Sequence, residues 1–267
     1  MYMPSTYLDA IANFHRARAY NDTRDWRDRA IEPSHRGSLR SAISLHRQMG
    51  IGVIAEIKRR SPSLGDLGLS INPAELAALY SLGGAVGISV LTDVEHFGGS
   101  REDLESAREA ADLPILRKDF TVCENDVFDA RDMGASCVLL IVAILSEVEL
   151  ASLLALTHVL GMDALVEVHT KDEASKAISS GANMIGVNQR DLHTFKVDTQ
   201  RAEAVVESIP SEVVAVAESG FHEALAVERA AAVGFDAVLV GESLVKHSNP
   251  AQGVREFSNF PIGPRFG

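Results

Sequence analysis

Residues 53–63 read V-I-A-E-I-K-R-R-S-P-S. The run 53–57 is apolar except for Glu56, the composition of a strand buried on both faces. Glu56 and Lys58 are two residues apart, so on a strand both side chains leave on the same face. A carboxylate and an ammonium at the end of a buried strand cost several kcal/mol of desolvation per ion unless they are paired or put to use. Ser61-Pro62 then ends the strand and opens a loop. Two readings follow: a structural ion pair capping the strand, or the edge of a catalytic site.

Outward from this stretch, short apolar runs alternate with amphipathic ones. Strands are expected at 53–57, 87–91, 115–117, 137–141, 164–168, 184–187, 213–217 and 237–240. Helices are expected at 73–81, 100–111, 124–133, 146–160, 171–180, 199–208, 222–233 and 249–257. A weak repeat supports this division. Gly84-Ala85, Gly134-Ala135, Gly181-Ala182 and Gly234-Phe235 each lead straight into a strand, as a glycine ending a helix in a left-handed turn does. Eight strand–helix units in a chain of this length point to a (β/α)8 barrel, the TIM barrel. A doubly wound open sheet is the alternative, but no Gly-x-Gly-x-x-Gly follows the first strand. Ahead of the barrel, Thr6 and Asp9 resemble a capping box before a helix at 6–19. A polar loop at 21–37 and a short helix at 38–48 follow. The expected domain organisation is one barrel domain over 1–267, with a core at 53–257 and an N-terminal helical extension at 1–48.

Composition narrows the function. A formal charge of −12 argues against a general nucleic-acid or anionic-membrane binder. The apolar run 137–145 is too short to span a bilayer, and the Tyr2-Met3-Pro4 start has no signal-peptide character, so a cytoplasmic protein is expected. Cys123 and Cys137 read as free thiols. The histidines show no H-x-x-x-H or H-E-x-x-H and no Cys-x-x-Cys exists, so no metal site is expected; nor is there a Gly-x-Ser-x-Gly elbow.

In such barrels the site lies where strands end and the following loops begin. Those positions here hold Glu56 and Lys58, Thr92 and Asp93, Lys118 and Asp119, Glu167, Asn188 and Arg190, Glu218 and Ser219, and Gly241 and Glu242. The fourth strand ends in Leu139-Leu140-Ile141, an apolar wall. Lys58, Lys118 and Arg190 gather cations in an acidic chain, which suits an anionic substrate. Ser219-Gly220 and Gly241-Glu242-Ser243 stand where barrels hold phosphate on backbone N–H groups; ordinary turn glycines are the plainer reading.

These residues resemble the indole-3-glycerol phosphate synthase family. The motifs are V-I-A-E-I-K-R-R-S-P-S (53–63), S-V-L-T-D (89–93), F-G-G-S (97–100), L-R-K-D-F (116–120), L-V-E-V-H (165–169), I-G-V-N-Q-R-D-L (185–192), A-E-S-G (217–220) and V-L-V-G-E-S-L (238–244). The resemblance implies a cofactor-free ring closure of an anionic sugar phosphate carrying an anthranilate group. Lys118 resembles the general acid of the closure and Glu167 the acid/base of the dehydration. Lys58 would bind the substrate carboxylate or assist proton transfer, and Glu56, Asn188 and Glu218 would orient these groups. Arg190 would hold the anthranilate end. Ser61, Ser219, Gly220, Gly241 and Glu242 would line the substrate and phosphate region, with Phe97, Phe120, Leu139, Leu192 and Leu239 as apolar walls. The N-terminal helix would cover the site, and the protein would be a monomer or homodimer. Where the family often has Asn-Asn-Arg this chain has Asn188-Gln189-Arg190, and Gln189 is expected to point away from the pocket. A related sugar-phosphate isomerase and a non-catalytic phosphate-binding barrel are the alternatives; the Cys/Asp or Asp/Asp pair of the first is missing, and the second would not need Lys118 and Glu167.

Overall fold

A computed structural model describes residues 7–26, 37–61, 65–66, 71–191 and 196–265. Eight parallel strands close into a barrel: β1 (Gly52–Ile57), β2 (Gly87–Leu91), β3 (Ile115–Lys118), β4 (Cys137–Ile141), β5 (Asp163–Val168), β6 (Met184–Asn188), β7 (Val214–Glu218) and β8 (Ala237–Val240). Each strand pairs with its neighbours in sequence, and β1 closes the ring on β8 with Gly52 opposite Ala237. The outer helices are α3 (Pro73–Gly83), α4 (Arg101–Ala110), α5 (Glu124–Asp132), α6 (Glu147–Val159), α7 (Lys171–Ser179), α8 (Thr199–Val206), α9 (Ala224–Ala232) and α10 (Pro250–Glu256), after α1 (Tyr7–Tyr20) and α2 (Leu39–His46). Every expected strand and helix is present, with ends displaced by a residue or two, as fraying and capping ordinarily allow. The four repeat glycines hold φ of 84–98°, so the left-handed helix stop read from the repeat is the conformation adopted.

Among the described residues four short pieces escaped the periodicity because they are too brief to show one: the helical turns Val94–Phe97 and Glu242–Val245, the tighter turn Val142–Ile144, and a ribbon pairing Arg60–Ser61 with Gly65–Asp66. The expected loop at 21–37 falls largely on 27–36, outside the described residues.

The core has two shells, divided by the period-two alternation of each strand. Outward residues such as Val53, Ile88, Val138 and Ala215 pack against the helices. Inward residues such as Ile54, Leu116, Leu165, Met184, Val216 and Leu239 fill the barrel. The N-terminal extension closes this inner column from both ends. Ile11 of α1 joins Phe120, Leu139 and Ile141 at the C-terminal mouth, while Leu39 and Ile43 of α2 are fully buried against the strand starts. A Cβ on Gly87 would overlap Leu39, so this glycine makes room for the plug.

Candidate active site

Each inward row of side chains turns from apolar to polar as it rises towards the mouth. On β1 it runs Ile54, Glu56 and then Lys58; on β3 Leu116 and Lys118; on β5 Leu165 and Glu167; on β7 Val216 and Glu218; on β8 Leu239 and Gly241. The strand period therefore carries these groups into one place. The mouth encloses a cavity of about 190 Å³. Glu56, Lys58, Lys118, Glu167, Asn188, Arg190, Glu218, Ser219, Gly220, Gly241 and Glu242 line it, with Phe97, Phe120, Leu139 and Leu239 as the apolar part. Leu192 lies outside the described residues, as does the side chain of Ser61.

Lys118 is the hub. Its Nζ stands 3.5 Å from Glu167 Oε2 and 3.6 Å from Glu218 Oε2. Burial alone would lower its pKa, but the nearby carboxylates of Glu167, Glu218 and Glu56 outweigh that and raise it above the usual lysine range. The carboxylates thus outweigh burial, and Lys118 is a fully charged ammonium.

The two carboxylates beside it are driven apart. Burial pushes Glu218 up, and the charge of Glu167 adds to it, raising the pKa to about 8. Glu167 is equally buried, yet Lys118, His169 and a 3.3 Å hydrogen bond from Asn188 Nδ2 hold it below the usual range. One carboxyl group is therefore neutral and one ionised at pH 7, the pattern that separates acid from base in a shared site. Gly186, between β5 and β7 in the sheet, allows this packing, since a Cβ there would overlap Glu218 Oε1.

Glu56 and Lys58 form an ion pair with Nζ 3.0 Å from Oε1, on one face as their spacing requires. Gly241 shapes this corner too. A Cβ on it would stand 2.6 Å from Glu56 Oε1 and 3.0 Å from Lys58 Nζ. Its lack of a side chain thus serves the pair as well as any ligand. Asn188 Oδ1 accepts from Ser219 Oγ at 2.9 Å and from the Arg190 backbone N–H at 3.0 Å, which fixes its amide towards Glu167. Ser219 and Gly220 both hold left-handed backbone, with φ of 71° and 85°. Glu242 pairs with Lys246 at 2.8 Å. Gln189 does not line the cavity; its Nε2 donates to the Ser219 carbonyl and braces the turn.

Two strand-end residues named from the sequence do other work. Thr92 joins Arg117 and Asp119 in a buried network behind the mouth, although Asp119 also touches the cavity. Asp93 holds the cover. It caps the Val94–Phe97 turn, and its Oδ2 meets His15 Nε2 of α1 at 2.7 Å and His96 Nδ1 at 3.0 Å. Among the described residues these three form one group whose ligand atoms could converge on a metal ion, and sequence spacing could not reveal it because His15 is 78 residues from Asp93. Their hydrogen bonds already satisfy Asp93, whose pKa is depressed well below the carboxylate range against the effect of burial. Arg16–Glu149 and Arg18–Asp126 pairs extend the clasp. Tyr7, Leu8 and Ile11 thereby become walls of the cavity, which the helical pattern of α1 could not show without the facing surface.

The model of the indole-3-glycerol phosphate synthase family matches residues 8–257. The chain belongs to this family. It is 50% identical over 208 residues to the indole-3-glycerol phosphate synthase of Micrococcus luteus, covering 78% of each chain. The synthase of Rhodococcus opacus is likewise 50% identical, over 215 residues and 80% of each chain. Solved structures share the barrel: an N-acetylmannosamine-6-phosphate 2-epimerase from Clostridium perfringens aligns with a TM-score of 0.61 at 15% identity, covering 84% of this chain and 96% of that one. A thiamine phosphate pyrophosphorylase from Pyrococcus furiosus aligns with a TM-score of 0.59 at 16% identity, covering 79% and 95%. These two speak for the fold alone; the family carries the chemistry. Among the described residues no helix is long and apolar enough to cross a membrane.

Proposed function

We infer from the family membership that the chain is an indole-3-glycerol-phosphate synthase, a carboxy-lyase of tryptophan biosynthesis. It closes the ring of 1-(2-carboxyphenylamino)-1-deoxy-D-ribulose 5-phosphate and releases CO2 and water. The observation that best supports the residue roles is the Lys118–Glu167–Glu218 cluster on the cavity floor.

A charged lysine under a carbonyl is a proton donor. Lys118 protonates the ketone oxygen as the aromatic carbon attacks it, and CO2 then leaves from that carbon. Glu167, ionised and steered by Asn188, relays the proton lost from the adjacent ring carbon to the hydroxyl, which leaves as water, and Lys118 regains its proton from solvent. Positioned acid–base groups of this kind contribute roughly 10²–10⁴-fold each. Lys58 answers the substrate carboxylate, with Glu56 setting its position, and Arg190 holds the anthranilate end. Glu218, protonated at neutral pH, lends a hydrogen bond without adding a second negative charge. The backbone at Ser219, Gly220 and Gly241, and the helical turn from Glu242, receive the phosphate. Phe97, Phe120, Leu139 and Leu239 press on the aromatic ring, and α1 excludes water from above. The whole chain acts as one barrel unit, its N-terminal extension closing the mouth with α1 and the floor with α2, in the cytoplasm, without a cofactor, as a monomer or homodimer.

The rise of indole fluorescence on mixing the purified protein with this substrate tests the reading. Steady formation of indole-3-glycerol phosphate is expected, and silence from well-folded protein would overturn it.

A further inference from the structure

Beside Glu167 lies a histidine that the roles above leave idle. His169 directly follows β5, and its side chain is buried. Its backbone N–H donates to Glu173 Oε2 at 2.6 Å, and its Nδ1 stands 3.5 Å from the same oxygen. On the other side, Nε2 is 3.8 Å from Glu167 Oε1. Neither ring nitrogen completes a hydrogen bond. The imidazole is thus held at one edge by the first turn of α7 and poised just outside hydrogen-bond reach of Glu167 at the other.

We propose that His169, anchored by Glu173, is a positioning residue for Glu167 that takes over its charge pairing when Lys118 turns to the substrate. The proposal rests on the assignment of Lys118 and Glu167 to the reaction. Glu167 balances its charge mainly on Lys118. Once Lys118 has aimed its proton at the ketone oxygen and given it up, Glu167 is left buried with the neutral amide of Asn188 and with the His169 ring still 3.8 Å away. An unpaired buried carboxylate takes up a proton and stops being a base. A shift of about 1 Å brings His169 Nε2 into hydrogen-bond range of Oε1 and restores a donor there.

The surroundings favour that direction. The charged groups facing this corner are Glu167 on the strand leading into His169, Glu173 on α7, and Lys118 from β3 across the mouth. The neighbouring turn at Val142–Ile144 presents a carbonyl tied to Arg16, which is itself paired with Glu149. Lys171 and Asp172 beside Glu173 are exposed. Glu173 is held below the ordinary carboxylate range, against its own burial, by the His169 ring that faces it and by the His169 backbone N–H. An ionised carboxylate behind an imidazole orients the ring, the arrangement that steers histidines elsewhere.

The test compares kcat and KM from about pH 5 to about pH 9 in wild type, His169→Leu, His169→Gln and Glu173→Gln. In His169→Leu, kcat is expected to fall about 10- to 100-fold with little change in KM. Its acid limb is expected to move to higher pH by roughly 1 unit, because Glu167 has lost a cationic neighbour. His169→Gln offers a donor without charge, so it recovers part of kcat and leaves the limb displaced. Glu173→Gln sits on a partly exposed side chain that the fold can spare, and shifts the limb the same way by less. An acid limb unmoved in both His169→Leu and Glu173→Gln overturns the proposal, whether or not kcat falls, because packing alone then explains the histidine. Glu167→Gln is measured alongside. If it stays active, the role of Glu167 itself is wrong; if it is dead while the limb of His169→Leu is unmoved, only the pairing is.

Discussion

At the floor of the barrel, Asp236 is buried with Arg265 at 3.0 Å, Arg47 at 3.1 Å and the Ala215 backbone N–H at 2.8 Å. At the mouth, Lys118 is buried with two carboxylates at 3.5 and 3.6 Å. Both ends bury charge, and the Glu56–Lys58 pair at the mouth is as short, at 3.0 Å, as the Asp236–Arg265 pair at the floor; what differs is Lys118, which meets neither of its carboxylates that closely. Arg265 also reaches the carbonyls of Ser211 and Val213, tying the C-terminal segment to the start of β7. The mouth keeps Lys118 loosely paired, with Glu167 and Glu218 displaced in opposite directions, whereas at the floor burial raises Asp236 and lowers Arg265 despite their pairing. Tight pairing is what stability asks of a buried charge, and loose pairing is what a reaction asks. On the proposed roles, the floor holds the fold and Lys118 exchanges its carboxylates for a substrate.

That contrast can be broken by substitution at either end. Glu167→Gln is nearly isosteric and removes a charge from a crowded site. It should lower kcat by about 10²–10⁴-fold while leaving the thermal midpoint unchanged or higher, read by steady-state fluorescence and by circular dichroism melting. Asp236→Ala should do the reverse. Stranding Arg265 inside the floor costs on the order of 3–5 kcal/mol, seen as a lower urea midpoint, while kcat per folded molecule stays at the wild-type value. Equal loss of activity in both variants would erase the distinction between the ends.

The displaced carboxyl of Glu218 gives a pH test. Its folded pKa, raised to about 8 from an ordinary 4.5, means that folding takes up a proton in the interval between these values. Stability from this group is therefore full below the unfolded value and is lost as pH rises through the folded one. Glu218→Gln keeps the neutral form at every pH. It should fold at least as well as wild type above pH 8 and abolish any alkaline fall of kcat that begins there. A pH–stability curve with the same slope in both proteins would show that Glu218 is already ionised at neutrality.

The smallest effect belongs to the cover. His15→Ala removes the 2.7 Å bond between α1 and Asp93, whereas Asp93 keeps its backbone donors from His96 and Phe97. A hydrogen bond to a charged group is worth about 1.5–3 kcal/mol, and part of it reappears as a looser cover. KM is expected to rise roughly tenfold with kcat less affected. An unchanged KM would mean that α1 is no part of the binding wall.

Almost all of the barrel was legible because each strand is a short apolar run stopped by a glycine turn or a charged end. The mouth was legible for the same reason: period two fixes which face Glu56, Lys58, Lys118 and Glu167 share. What stayed hidden depends on contacts between distant segments. Nothing in the helical pattern of α2 says that Leu39 and Ile43 stop the floor rather than face the mouth. Nor does any local signal join His15 to Asp93, or place Gly186 and Gly241 as the gaps into which Glu218 and the Glu56–Lys58 pair fit. The direction of the Lys118 shift was hidden too, because it is a contest between burial and three carboxylates whose distances only the fold provides.

The rate of indole-3-glycerol phosphate formation by Lys118→Met, measured by fluorescence on protein shown to keep the wild-type fold, bears most directly on the claim that the strand ends carry the chemistry. The expected result is a kcat lower by about 10²–10⁴-fold with a folded, substrate-binding protein. A rate within about threefold of wild type, far less than any positioned general acid contributes, would contradict it.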